Sequence, residues 1–242
     1  MNLLQFDSEH AWVQGVCAFW TDRLRSDRRL RTCLPTGLTP IPIYDEMVRR
    51  VSAGHASFAE ASVFALDEFG ELPAEDPGST RNTLDRLLIG RVDLPAAAFH
   101  ALDMQAADVS RTCERYDAAI GAGFDLVLLG IGTNGHLGMN EPGTPPDSRT
   151  RRVELHESTI QASARYFPDR APHELPRWGV TVGLRAILAS REVWVLATGS
   201  GKAPIVERAF HGEVTTEVPA SLLQRHRNCS LFVDAAAGAR LR

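Results

Sequence analysis

The stretch Phe124–Pro142, FDLVLLGIGTNGHLGMNEP, joins an apolar run directly to a loop of glycines and polar residues. Residues 126–129 are apolar at consecutive positions rather than at every second one, and residues 193–197, VWVLA, show the same feature. Such runs are typical of parallel strands that are covered on both faces. The stretch therefore predicts a parallel sheet with a ligand-binding loop at the carboxyl end of a strand.

Apolar runs of strand length alternate with segments of helical period along much of the chain. The strand-length run SVFALDEF precedes the helical segment TLDRLLIG, and the run EVWVLATGS precedes the helical segment KAPIVERAF. Near the end of the chain, the helical segment SLLQRH precedes the strand-length run CSLFVD. No repeat of fixed period and no Pro/Ser linker divides the sequence. We therefore expect one α/β domain over residues 1–242, with an open, mostly parallel, Rossmann-like sheet and helices on both faces.

Charge and composition argue against several classes of protein. The chain has 30 acidic and 26 basic residues, a net charge of -4 and no Lys/Arg tract, so we expect no nucleic-acid or membrane partner. It lacks both an apolar run of about 20 residues and a secretory signal pattern, which predicts a cytoplasmic protein. The four cysteines are widely spaced, which predicts reduced, buried thiols rather than disulfides or a zinc site. These features are compatible with a homo-oligomer.

Residues 34–40, LPTGLTP, precede the helical pattern IYDEMVRRV. A glycine lets the backbone approach an anion closely, threonine hydroxyls can donate to it, and a helix N-terminus offers free N–H groups. The alternative is an ordinary strand-to-helix turn, with Thr39 as the N-cap and Pro40 as the first helical residue. The phosphate-binding interpretation assigns this role to Thr36, Gly37, Leu38 and Thr39.

Two adjacent carboxylates end the apolar run FALDEF, residues 64–69. Because side chains alternate along an extended chain, Asp67 and Glu68 are expected to point to opposite sides. One of them can face a pocket, where a partly desolvated carboxylate suits proton transfer to and from carbon. The alternative is a hydrated acid in a turn.

The loop after residues 126–129 carries His136 among Gly130, Gly132 and Gly135, with Glu141 five residues further on. The glycines allow a tight turn, the imidazole exchanges protons near neutral pH, and the glutamate can orient it. The segment GIGTNG also matches a dinucleotide-binding fingerprint, but LGMNEPGTPP follows where that motif needs a helix. A structural histidine is the other alternative. No second metal ligand stands at a suitable spacing, so we expect no metal.

Two basic residues late in the chain complete the candidate site. Arg165 lies in SARYF, and Lys202 lies in TGSGKA just after residues 193–197. Each can add a positive charge to a phosphate site at the carboxyl edge of the sheet. The alternative for both is a solvated surface charge, which is the usual state of Arg and Lys.

Taken together, these motifs resemble the glucosamine-6-phosphate deaminase family within the wider group of sugar-phosphate isomerases and 6-phosphogluconolactonases. LPTGLTP, LDEFGELP, GIGTNGHLGMNEPG, SARYF and TGSGKA occur in the family's order across nearly the whole chain. The galactosamine-6-phosphate deaminase/isomerase branch resembles the chain more closely still, in NGHLGMNEPG, TGSGKA and VPASLLQRH. That branch also resembles the chain in having Asn at position 134, where typical glucosamine enzymes have Asp. The lactonases are less similar, since they lack the NEPG of residues 140–143.

The resemblance implies an isomerising deaminase, a hydrolase that converts galactosamine 6-phosphate to tagatose 6-phosphate and ammonia without a cofactor. In this interpretation His136 opens the sugar ring with the assistance of Glu141, and Asp67 moves a proton between C2 and C1. Asn134 positions the imidazole, because an amide forms hydrogen bonds but cannot take up the proton. The loop of residues 36–39, Arg165 and Lys202 bind the 6-phosphate.

Three alternatives remain at this stage. The substrate can be glucosamine 6-phosphate, with fructose 6-phosphate as the product. The same histidine can activate water for hydrolysis of 6-phosphogluconolactone, although the NEPG segment argues against this. Finally, the protein can be a sugar-phosphate sensor without turnover, an idea that Asn134 favours and the combination of Asp67, His136 and Glu141 opposes.

Overall fold

Strands and helices alternate along the chain in a computed structural model that describes residues 1–73 and 75–241. Ala74, in the Pro-rich loop that follows the acidic pair, lies outside the described residues. The strands are β1 (Asn2–Phe6), β2 (Arg31–Leu34), β3 (Ser62–Ala65), β4 (Asp67–Phe69), β5 (Phe99–His100), β6 (Leu126–Gly130), β7 (Arg151–Glu154), β8 (Trp178–Thr181), β9 (Val193–Ala197) and β10 (Cys229–Asp234). The α-helices are α1 (Glu9–Ser26), α2 (Ile41–Ser52), α3 (Thr80–Leu87), α4 (Val109–Ile120), α5 (Glu157–Ser163), α6 (Leu184–Ala189) and α7 (Ala203–His211).

Seven strands form one parallel sheet in the order β1-β10-β9-β6-β2-β3-β5. In the centre, Val127 of β6 lies opposite both Val193 of β9 and Cys33 of β2. The consecutive apolar residues of β6 supply two cores, since Leu126 and Leu128 belong to one hydrophobic cluster and Val127 and Leu129 to another. The predicted parallel sheet, covered on both faces, is confirmed.

A second sheet was not predicted from the sequence. Its three antiparallel strands are ordered β4-β8-β7, and Asp67 of β4 lies opposite Thr181 of β8. The run SVFALDEF is therefore two strands, which are divided at Leu66. The Leu66 N–H donates to Leu34 in the large sheet, and its carbonyl accepts from Val182 beyond β8. This switch carries the acidic pair out of the large sheet and into the small one.

All four cysteines are buried and free, as predicted. Burial raises the pKa of the Cys33 thiol well above its usual value, so the thiol stays neutral in the core. The segment SLLQRH, residues 221–226, was predicted as helical, and all but its last residue lie in the 3₁₀ helix Pro219–Arg225, whose C-cap is His226. Within the described residues, no helix combines the length and apolar composition needed to cross a bilayer.

Candidate active site

The carboxyl ends of β2, β3, β6 and β9 meet at one edge of the parallel sheet, where ligands of open α/β sheets bind. A cavity of about 220 Å³ opens there. The predicted site residues that line the cavity are Thr36, Gly37, Leu38, Thr39, Asp67, His136, Arg165 and Lys202. Asn134 and Glu141 lie behind the imidazole. The structure thus brings together predicted site residues that are spread from Thr36 to Lys202.

The loop after β2 forms one wall of this cavity. The Tyr44 hydroxyl donates to the Pro35 carbonyl at 2.6 Å and fixes the start of the loop. A Cβ on Gly37 would find only Pro40 Cδ, at 3.9 Å, so no neighbouring protein atom excludes a side chain there. Leu38 is 52% exposed. The open space beside Gly37 leaves its backbone accessible to a ligand.

Helix α2 follows this loop and begins at Ile41. Its N-cap is Pro40, without a side-chain cap, so the alternative that made Thr39 the N-cap was wrong. The Ile41 N–H instead donates to the Leu38 carbonyl at 3.2 Å. A proline-led turn therefore starts the helix, and Thr39 lines the cavity.

Lys202 and Arg165 place two positive charges at the same cavity. Lys202 ends the short turn between β9 and α7, and its Nζ donates to the Ile131 carbonyl at 2.7 Å. Burial and the nearby Arg165 guanidinium lower the pKa of Lys202. Within the described part of the chain, neither residue forms a salt bridge with a carboxylate. Two adjacent cations without an acidic partner are well placed to bind an anion.

Asp67 is only 9% exposed and lines the cavity at the start of β4. Burial, reinforced by the adjacent Glu68 carboxylate, raises its pKa to about 7, and a hydrogen bond from Thr80 acts in the opposite direction. A carboxyl group with that pKa exchanges protons at neutral pH. The alternative of a hydrated turn acid is wrong, because both acids of the pair are buried.

Glu68 points away from the cavity to the start of α3, as the alternation of side chains predicted. Its carboxylate accepts hydrogen bonds from the backbone N–H groups of Phe69, Thr80 and Arg81 at 2.7 to 2.9 Å. Burial raises the pKa of Glu68, and these backbone hydrogen bonds oppose that rise. Glu68 therefore joins strand β4 to helix α3.

A compact loop after β6 presents His136. The Gly132 N–H donates to the His136 carbonyl at 3.1 Å, and the Gly135 N–H donates to the Gly132 carbonyl at 3.0 Å. Gly135 has φ 89°, a conformation that favours glycine. Asn140 anchors the far end of the loop, since its side-chain amide donates to the Leu137 and Val182 carbonyls. The backbone of this loop thus fixes the orientation of the histidine, and no helix follows the glycines.

Glu141 lies beside the imidazole. Its Oε2 is 3.4 Å from His136 Nδ1 and accepts a 2.8 Å hydrogen bond from Asn134 Nδ2, while Oε1 accepts from the Thr159 hydroxyl of α5. Burial raises the pKa of Glu141, but hydrogen bonding and charge interaction with His136 and the bonds from Thr159 and Asn134 outweigh it, and the pKa is about 2. The group is a carboxylate at neutral pH.

Asn134 contacts the glutamate and the backbone rather than the imidazole ring. Its Oδ1 accepts a 3.1 Å hydrogen bond from the His136 N–H, and its Nδ2 donates to Glu141. An amide satisfies both contacts because it combines a donor and an acceptor. The residue positions the loop and Glu141, and through them the histidine.

Sequence reasoning missed three side chains of this site. Thr80 faces Asp67, Thr159 faces Glu141 and His136, and Tyr166 lines the cavity with the Arg165 guanidinium 5.3 Å from the centre of its ring. The motif SARYF, which predicted a role for Arg165, was the only sequence feature that could have indicated the tyrosine. The two threonines belong to no motif, and only the packing of α3 and α5 brings them to the site.

A parallel sheet with acid–base groups and two cations at its carboxyl edge defines a class of α/β enzymes that act on small anionic substrates. The comparison with known families makes this specific. The chain belongs to the glucosamine-6-phosphate isomerase/6-phosphogluconolactonase family, whose model matches residues 7–232.

Similarity to individual proteins supports the same family assignment. A glucosamine-6-phosphate deaminase of Rhodopirellula baltica is 40% identical over 228 residues, which cover 93% of this chain and 90% of the relative. One of Streptomyces coelicolor is 43% identical over 209 residues, 86% of this chain and 80% of the relative. The solved structure of a monomeric glucosamine-6-phosphate deaminase has a TM-score of 0.95 at 30% identity and covers 99% of this chain and 100% of its own.

A 6-phosphogluconolactonase of Trypanosoma brucei has a TM-score of 0.77 at 20% identity, covering all of this chain and 98% of its own. At that identity the likeness shows the fold alone. The predicted resemblance to the deaminase family is confirmed, whereas these relatives give no support to the galactosamine branch in particular.

Proposed function

We propose that the protein is an isomerising deaminase that converts glucosamine 6-phosphate and water to fructose 6-phosphate and ammonia. The observation that carries the proposal is the cavity in which buried Asp67, the His136–Glu141 pair and the two cations Arg165 and Lys202 meet. This set offers a base for carbon, an acid–base group for the sugar ring and a site for the 6-phosphate.

The relatives favour glucosamine 6-phosphate over the galactosamine epimer as the substrate, because the deaminases similar to this chain are named for glucosamine 6-phosphate. The position of Asn134 supports the same choice. Its side chain bonds to Glu141 and to the loop backbone, behind the imidazole and outside the cavity lining. A residue so placed does not read a hydroxyl configuration of the sugar, which removes the argument that Asn134 selects the galactosamine epimer.

Ring opening is assigned to His136. Glu141 occupies the side of Nδ1, so Nε2 is the nitrogen left for the sugar. The imidazole takes the proton of the C1 hydroxyl and delivers a proton to the ring oxygen as the C1–O5 bond breaks. The Glu141 carboxylate holds the ring in orientation and stabilises its protonated form during the transfer.

Isomerisation is assigned to Asp67. In its ionised form it removes the C2 proton of the open-chain amino aldose while the C1 carbonyl oxygen takes up a proton, which gives an enolamine. It then returns the proton to C1 as the amino nitrogen releases one, which leaves an imine at C2. Water adds to the resulting C2 imine, and ammonia leaves to give the ketose. Binding of the phosphate by Lys202, Arg165 and residues 36–39 holds C1 and C2 at the carboxylate.

An assay of ammonia release tests the assignment directly. Glucosamine 6-phosphate, galactosamine 6-phosphate and 6-phosphogluconolactone are supplied separately, with ammonia measured for the first two and acid release for the lactone. We expect the highest kcat/KM for glucosamine 6-phosphate. A higher value for the galactosamine epimer would restore the galactosamine assignment, lactone hydrolysis without ammonia would favour the lactonase, and turnover of none would favour the sensor.

Lys202→Ala is expected to raise KM by about tenfold to a hundredfold with a smaller change in kcat, since a half-buried charge proposed to bind the phosphate is lost. Inorganic phosphate is expected to inhibit the wild type competitively, and this inhibition should weaken in parallel in the variant. Arg115→Ala removes an exposed charge of α4 and serves as the control. Unchanged KM and unchanged phosphate inhibition in Lys202→Ala would show that the phosphate binds elsewhere.

A further inference from the structure

Thr80 lies between the proposed base and the proposed phosphate loop. It is the first residue of α3 and only 1% exposed. Its Oγ1 is 3.5 Å from Asp67 Oδ1 on one side and 3.5 Å from Thr36 Oγ1 on the other. The two functions assigned to opposite ends of the substrate are therefore joined through one hydroxyl.

Buried and partly buried hydrogen bonds fix the backbone that carries this hydroxyl. Glu68 Oε1 accepts from the Thr80 N–H at 2.7 Å, and Oε2 accepts from the Arg81 N–H at 2.9 Å. Ser79 caps the same helix end, since its Oγ accepts from the Asn82 N–H at 3.1 Å. Because Glu68 follows Asp67 in strand β4, the helix end and the carboxylate are held as one unit.

The chemistry of the groups sets the direction of the hydrogen bonds. An ionised carboxylate only accepts, so the single hydroxyl hydrogen of Thr80 is donated to Asp67. The oxygen of Thr80 can then accept from the hydroxyl of Thr36. A separation of 3.5 Å is long, but the hydrogen bonds of catalytic groups often tighten only when the substrate binds.

We propose that Thr80 is a positioning residue that orients the Asp67 carboxylate for proton transfer at C2 and links it to the loop that binds the 6-phosphate. The catalytic role given to Thr80 rests on the proposed function. Donation by Thr80 stabilises the ionised Asp67, the form that removes the C2 proton. Occupation of the loop by phosphate restrains Thr36 and, through it, Thr80.

Other titratable groups surround Asp67 and remain the same when Thr80 is changed. They come from the strand of Asp67 itself and from neighbouring elements, and they are Glu68, Cys33 of β2, Tyr44 of α2, Tyr116 of α4 and Tyr166 beyond α5. Burial raises the pKa of the thiol and of the three phenols, so they are neutral at pH 7. A shift in the pKa of Asp67 that accompanies loss of the Thr80 hydroxyl therefore measures the effect of that hydroxyl on the carboxylate.

Thr80→Val keeps the shape of the side chain and removes the hydroxyl. We expect kcat at pH 7 to fall about tenfold while KM stays within about threefold. The acid limb of the kcat profile should move upward by about half a pH unit or more, since the ionised carboxylate loses a donor. Thr80→Ser should restore both values. Thr83→Val is the matched control, because Thr83 lies in the same helix and its hydroxyl faces the Pro77 carbonyl instead.

A titration that needs no turnover separates this inference from the proposed function. The Asp67 carboxyl is followed by 13C NMR in the unliganded protein, with Asp67→Asn to assign the signal. A higher titration midpoint in Thr80→Val than in Thr83→Val and wild type supports the inference. Equal midpoints with an unchanged acid limb overturn it. Absence of ammonia release by the wild type would overturn the proposed function alone, since the titration still decides whether Thr80 acts on Asp67.

Discussion

Replacing Asp67 with asparagine is expected to lower kcat by roughly 10² to 10⁴-fold and to leave sugar-phosphate binding within a few-fold. The amide keeps the shape of the carboxylate but cannot accept the C2 proton. The groups proposed to bind the phosphate lie in other segments, on the loop after β2 and near α5 and α7. The defect should therefore fall on kcat rather than on KM.

Exchange of solvent deuterium into C2 of recovered substrate is the direct measurement, because it reports proton removal even without ammonia release. Wild-type enzyme should incorporate deuterium, with the rate rising as the pH passes through about 7, where Asp67 ionises. Wild-type exchange in Asp67→Asn would show that another group removes the proton.

The same substitution should stabilise the fold at neutral and alkaline pH. The folded-state pKa of Asp67 is about 7 and the reference value is 3.8. Below 3.8 the carboxyl is protonated in both states and has no effect. Between 3.8 and 7 the unfolded state ionises first, so stability falls as the pH rises, and above 7 the whole penalty is present. Asparagine carries no charge at any of these pH values, so the variant does not incur this penalty.

The expected gain in free energy of unfolding above pH 7 is on the order of a few kcal/mol, reduced by whatever hydrogen bonds the new amide fails to make. Urea unfolding of the wild type and Asp67→Asn at pH 4 and pH 8 measures it. Asp22→Asn, at an exposed position of α1, is the control. An equal difference at both pH values would mean that Asp67 is not held with a raised pKa.

Much of the fold could be predicted because its signals are local. Runs of consecutive apolar residues at 126–129 and 193–197 predicted buried parallel strands, and both proved central. The small sheet gave no such signal, since β4 has three residues and pairs with β8 more than a hundred positions later. Only the switch at Leu66 shows why Asp67 faces the cavity.

In the candidate site, too, residues close together in the sequence could be predicted, whereas contacts between distant elements could not. Glu141 was expected near His136 from a spacing of five residues, and the loop brings the two within 3.4 Å. Asn134 was expected to position the imidazole, but it does so indirectly, through Glu141 and the backbone. Thr80 and Thr159 depend on how two helices pack, which isolated threonines in a sequence do not indicate.

Gly132 offers the second large effect, because the imidazole of His136 lies directly against it. A Cβ at this position would come within 2.4 Å of Cε1 and Nε2 of the ring and within 2.5 Å of Cδ2. Such a contact is not tolerated, so in Gly132→Ala either the ring or the loop must shift, and we expect the imidazole to move relative to Glu141. A displacement of about 1 Å can lower the rate by about 10²-fold, and we expect a loss of that order in kcat.

Gly130→Ala is the matched control, since a Cβ there meets no atom within 4 Å. The 1H–15N signals of the imidazole should shift in Gly132→Ala and stay in place in Gly130→Ala, while inorganic phosphate should bind both variants as it binds the wild type. This combination separates a misplaced histidine from a damaged phosphate site. Full activity in a Gly132→Ala protein whose imidazole signals have moved would mean that His136 does not open the ring, because catalysis would then tolerate its displacement.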